Sequence, residues 1–151
     1  GSKEGLFRQL CLVSLASTSA RIEAMVNPFL QAPIKGEKAA EKASLALTHS
    51  YLELLLESQE FTGFILRSIA VPSPDSGFRD LMPLVERGLS PLGLFVNHVF
   101  GISLEQARKE VMIFVALIGA LVEEKLRFPE YQITEDEIQW AVRRWLRGIQ
   151  G

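Results

Sequence analysis

Residues 103–127 read SLEQARKEVMIFVALIGALVEEKLR. Ser103 followed three positions later by Gln106 is a capping-box pattern, in which the serine side chain accepts from a backbone N–H of the first turn. Beyond it, Val111, Phe114, Val115, Ile118 and Val122 recur at spacings of three and four, the period of one helix face. The stretch predicts a long helix from Leu104 to about Arg127, stopped ahead of Pro129. Its apolar run, Val111 to Val122, is 12 residues long. A membrane-spanning helix needs ~20, so the run predicts a buried helix, and no membrane partner is expected. A second face carries Met112, Ala116, Gly119, Ala120 and Glu123. These are mostly small, and small residues let another helix approach at the ~8–10 Å axial distance of packed helices.

The segment that follows repeats the logic. Thr134-Glu-Asp-Glu137 is a second capping box and predicts a last helix to about Gly148, with acidic residues in its first turn and arginines in its last. Ile138, Ala141, Val142 and Trp145 share one side, and Trp140 lies near a second. The two final helices thus carry more apolar surface than one neighbour needs. The expectation is a self-complementary homodimer surface built from Met112, Ala116, Gly119, Ala120, Glu123, Trp140, Ala141, Arg144 and Trp145. The plainer alternative is that both helices are simply interior.

Working back toward the N-terminus, the pattern from Phe78 to Phe100 is helical but interrupted. Gly88 is expected to end one helix, Ser90-Pro91 to start the next, and Gly101 to stop it. Pro72 to Gly77 predicts a mobile loop, and Thr62 to Ala70 a short helix with Phe64, Ile65 and Ile69 as its apolar residues. Gly36 opens a longer helix to about Gln59. Its first stripe is Ala40, Ala43, Leu47, Tyr51 and Leu54; a second is Leu45, Leu52 and Leu56. Ser2 can cap a first helix to about Asn27, ended by Pro28, with Leu6, Leu10, Val13 and Leu15 or Ala16 on its apolar side. The sum is an all-α helical bundle of about six to seven helices, one domain over residues 1–151.

The chain has 151 residues, of which 48% are hydrophobic and 23% charged, which suits a single core that needs no disulfide or metal. The net charge of −2 gives no basic surface for nucleic acid. Arg143, Arg144 and Arg147 read as a solvated helix face. One cysteine, Cys11, and no apolar leader segment predict a cytoplasmic chain.

Little in the sequence points to chemistry. His49 and Glu53 are i, i+4 neighbours, but they supply only two ligands, and an ordinary ion pair or core histidine is the preferred reading. Cys11 reads as a buried, inert thiol. There is no Gly-rich phosphate loop, nucleophile elbow or paired metal motif, so neither enzymatic activity nor a metal or other cofactor is expected. Polar residues set among large apolar ones (His49, Tyr51, Arg67, Asn97 and His98) could line a small-molecule pocket walled by Phe61, Phe64, Phe95 and Phe114. The preferred pocket set is His49, Phe64, Arg67, Phe95, His98 and Phe114. The competing reading has the polar groups facing solvent or satisfying helix ends.

The opening Gly1-Ser-Lys-Glu-Gly-Leu-Phe7 resembles the junction that closes the DNA-binding domain in the TetR family of bacterial transcriptional regulators. Gly101-Ile-Ser-Leu-Glu-Gln-Ala107 is similar to that family's opening of its eighth helix, and Trp140 to Ile149 to its closing helix. The expected order and lengths of the helices are similar as well. The resemblance implies an effector-binding and dimerisation domain, with operator DNA contacted only through a helix-turn-helix domain ahead of Gly1. It also implies a small apolar or amphipathic effector inside the bundle and a homodimer through the last two helices. Two alternatives stay open: a helical protein–protein interaction module using the same apolar patch, and a helical enzyme using His49 or Glu53.

Overall fold

A computed structural model describes residues 2–57 and 82–150. Five helices make up the described fold: α1 (Ser2–Leu30), α2 (Glu37–Glu57), α3 (Met82–Phe100), α4 (Leu104–Arg127) and α5 (Glu135–Gln150). There is no strand among the described residues. The expected short helix over 62–70 and the loop over 72–77 lie outside them, as do Phe61, Phe64 and Arg67.

The helix ends of α4 and α5 follow the sequence. Ser103 is extended (φ −62°, ψ 155°), and its hydroxyl accepts from Gln106 N–H at 3.1 Å. Thr134 Oγ1 accepts from Glu137 N–H at 3.2 Å and donates to the same residue's carboxylate at 3.1 Å. Each cap satisfies a donor that the first turn would otherwise leave orphaned. At the end of α3, Gly101 takes φ +66° and its N–H bonds the Asn97 carbonyl at 3.0 Å, a left-handed stop that suits glycine. Gly36, at φ +91°, plays the matching part before α2, where its carbonyl accepts from Ala40 N–H.

Two breaks expected from the sequence do not occur. Helix α3 runs unbroken through Gly88 and Pro91. Pro91 has no N–H for the Arg87 carbonyl four residues back, and Ser90 Oγ donates to that carbonyl instead, at 2.8 Å. Gly88 is buried against α1, where a Cβ would lie 2.4 Å from Ser19 Oγ. It marks a close helix crossing, not a helix end. Helix α1 likewise continues past Pro28 to Leu30. Only the last turn lies beyond the proline, and Phe29 is held there edge-on to Phe95, with ring centroids 5.5 Å apart.

The core runs between all five helices. α1 packs along α3 and α3 along α4; α2 closes the bundle against α1, α4 and α5, and α5 also packs on α4. Its most buried large side chains are Val26, Phe95, Val96, Ile118, Val122 and Val142. A smaller cluster of Cys11, Leu15 and Val85 joins the first half of α1 to the start of α3. Here the structure corrects the sequence. The buried line of α1 is Cys11, Leu15, Ile22 and Val26, while Leu6, Leu10 and Val13 are 63%, 58% and 66% exposed. Both sides of this helix are apolar, so periodicity alone does not choose between them. The first expected stripe of α2 and the core stripes of α4 and α5 are buried, while in the second stripe of α2 Leu52 is buried and Leu45 and Leu56 are half-buried.

Candidate functional site

The described pocket residues do not converge. Phe95 and Phe114 are core residues. Phe114 lies between Tyr51 (5.6 Å) and Trp145 (4.9 Å), and Trp145 also meets Phe100 edge-on at 5.9 Å. His49 is exposed and reaches Glu135 at the start of α5, with Nε2 3.1 Å from the carboxylate. His98 is exposed at the end of α3, where its Nε2 sits 2.8 Å from the Ala32 carbonyl in the turn after α1. Asn97 Nδ2 donates to the Ile102 carbonyl at 2.6 Å, so this residue serves a helix end. Phe64 and Arg67 lie outside the described residues.

The interior does contain polar groups, and they line α2. Ser44, Thr48 and Tyr51 are spaced one turn apart and are all buried. Thr48 Oγ1 donates to the Ser44 carbonyl at 2.6 Å. Ser44 Oγ is buried with no hydrogen-bond partner among the described residues. Burial also pushes the Tyr51 hydroxyl well above the ordinary tyrosine range. Sequence reading singled out Tyr51 but missed Ser44 and Thr48. Their signal was position: both continue the line of Ala40 along a helix whose other inward residues are apolar.

The outer face of α4 and α5 is the other candidate. Met112, Ala116 and Ala120 are exposed along α4, with Glu123 half-buried beside them. On α5, Trp140 is 53% exposed, and the Arg144 guanidinium lies 5.7 Å from its ring centroid. Such a stack covers part of an indole face and places a cation beside it. Gly119, Ala141 and Trp145 were expected on this surface and instead belong to the chain's own interior. Trp145 is held there by its ring contacts and by Nε1–H donating to the Glu110 carbonyl at 3.0 Å.

The arginine cluster is distributed. Arg143 pairs with Glu41 of α2 at 3.1 Å, and Arg147 Nε reaches the Arg143 carbonyl at 3.4 Å. With His49–Glu135, the Arg143–Glu41 pair clasps α2 to α5 in antiparallel sense. Arg21 of α1 makes a two-pronged pair with Glu57 at the end of α2, with Nη2 2.9 Å from Oε1, and hydrogen bonding from Arg21 holds the Glu57 carboxyl below its ordinary range. Burial raises the Cys11 thiol, as the reading of an inert cysteine requires. Among the described residues, no three His, Cys, Asp or Glu side chains gather as a metal would need, and no helix is long and apolar enough to cross a membrane. Comparison with family models, with curated proteins and with solved structures finds no match to this chain.

Proposed function

We propose that the chain is the effector-binding and dimerisation domain of a TetR-like transcriptional regulator. The observation that carries this reading is the exposed face of α4 and α5. Met112 and Trp140 are large, apolar and 45% and 53% exposed, and they belong to adjacent helices with small residues between the turns. An apolar surface drawn from two neighbouring helices suits an interface better than a monomer's exterior, and a twofold homodimer is the commonest soluble assembly that would cover it. The opening Gly1 to Phe7 and the order of the helices, with a long first helix and two consecutive helices closing the chain, support the same reading.

In this reading a small apolar or amphipathic effector binds within the bundle. It shifts the population between two bundle conformations in proportion to its differential affinity for them. Helix α1 transmits the change to a DNA-binding domain joined at its N-terminus. Sedimentation equilibrium on this chain tests the dimer: a species of twice the chain mass supports the reading, and a monomer at high concentration removes its main support. Ligands that bind the domain yet leave the operator affinity of a full-length parent unchanged would sink the regulatory half.

A further inference from the structure

The exposed face of α4 is laid out as a palindrome of charge and size. Glu105, Lys109, Met112, Ala116, Ala120, Glu123 and Arg127 follow at spacings of 4, 3, 4, 4, 3 and 4, which read the same from either end. All but Glu123 are exposed, and Glu123 is half-buried. None of the four charged residues takes part in the ion pairs found between described residues.

We infer that this face is the contact with a second copy of the chain, with the two α4 helices antiparallel and centred on Ala116. The inference rests on the homodimer of the proposed function and adds its register. A twofold axis at Ala116 sets Met112 against Ala120 of the second copy, Lys109 against its Glu123, and Glu105 against its Arg127. Arg108 then also meets Glu124 of the second copy on the flank. The centre is small, so the axes approach closely there. The charged pairs stand seven and eleven residues out, about 10 Å and 16 Å along the helix. A shallow crossing near ~20° leaves such positions within reach of long side chains.

Other arrangements bring like charges together. Sliding the antiparallel pair by one turn sets Lys109 against Arg127 in one direction, or Glu105 against Glu123 in the other. A parallel pair sets Glu105 against Glu105 and Lys109 against Lys109. Charge layout of this kind specifies partner and register more than it adds affinity. The occupant it fits is therefore another copy of the same helix.

Charge reversal tests it. Lys109→Glu alone faces Glu123 at both ends of the dimer, and Glu123→Lys alone faces Lys109. Each variant should dimerise about tenfold or more weakly than the unaltered chain. Mixed in equal amounts, the two should form a heterodimer tighter than either homodimer, because one copy then offers carboxylates and the other ammoniums at both positions. Effects of each change on its own helix are the same alone and mixed, so they cancel from this comparison. Circular dichroism checks that both variants fold. Independently, Ala116→Cys in a Cys11→Ala background should crosslink to its own symmetry mate on oxidation, faster than Ala120→Cys does. A dimer that shows no gain on mixing, or that crosslinks faster at 120, overturns the register and leaves the dimer standing. An unaltered chain that stays monomeric overturns both.

Discussion

Gly88→Ala should destabilise the protein, and the same change should stabilise it once Ser19 is alanine. An ideal Cβ at Gly88 lies 2.4 Å from Ser19 Oγ but 3.5 Å from Ser19 Cβ, so the conflict is with the hydroxyl alone. That hydroxyl is anchored by its bond to the Leu15 carbonyl at 2.8 Å. To make room, Ser19 must give up this bond, or α1 and α3 must separate and loosen the cluster of Cys11, Leu15 and Val85. Overpacking of this kind costs about 1–3 kcal/mol. Replacing a helical glycine with alanine returns about 1 kcal/mol. The net loss is about 1 kcal/mol, or about 2–4 °C in Tm for a chain of this size. In a Ser19→Ala background the clash is gone and only the gain of up to about 1 kcal/mol remains. The coupling between the two positions is then about 2 kcal/mol, well above the error of a double-mutant cycle. Urea unfolding of the four proteins measures it, with unchanged m-values as the check that the unfolding transition is comparable. If Gly88→Ala stabilises both backgrounds equally, the helices do not cross closely here and the reasoning fails.

Trp145→Phe should lose about 1–3 kcal/mol in the same assay, because it removes the indole donor to the Glu110 carbonyl and leaves a void beside Phe100 and Phe114; full stability would mean that the indole nitrogen holds nothing. Ser44→Ala should leave stability unchanged or raise it by about 1 kcal/mol, since the buried hydroxyl has no partner to lose among the described residues. A clear drop would show that Ser44 Oγ is engaged. Stability should fall at alkaline pH: Cys11 and Tyr51 both keep their protons to higher pH when folded, so above the ordinary values of 9.0 and 10.0 the folded state binds more protons than the unfolded one. Tyr51→Phe should abolish the part of that fall that begins near 10.0, and urea midpoints measured on either side of that pH decide it.

The proposed homodimer face shows where sequence reading stops. Small residues on α4 and Trp140 on α5 were legible as surplus apolar surface, because a helix period separates them from the core stripe. Whether Ala141 and Trp145 share that surface was not legible. They lie on the side of α5 that meets α4 and the core, and only the placement of α4 reveals it. The pocket set fared similarly: His49 and His98 look inward on a linear pattern, yet partners from α5 and from the turn after α1 hold them at the surface.

The sequence by itself determined a helical chain, the caps at Ser103 and Thr134, the stop at Gly101, and the core stripe of α4. These follow from local chemistry: a cap acts within one turn, and a single apolar stripe has only one side to bury. Tertiary structure alone decided which side of α1 is inside, that α3 runs through Gly88 and Pro91, and that α1 passes Pro28. Each of those depends on a neighbour distant in sequence. Glycine ends a helix or admits another one according to whether a second helix is there to be admitted, and at Gly88 that helix is α1.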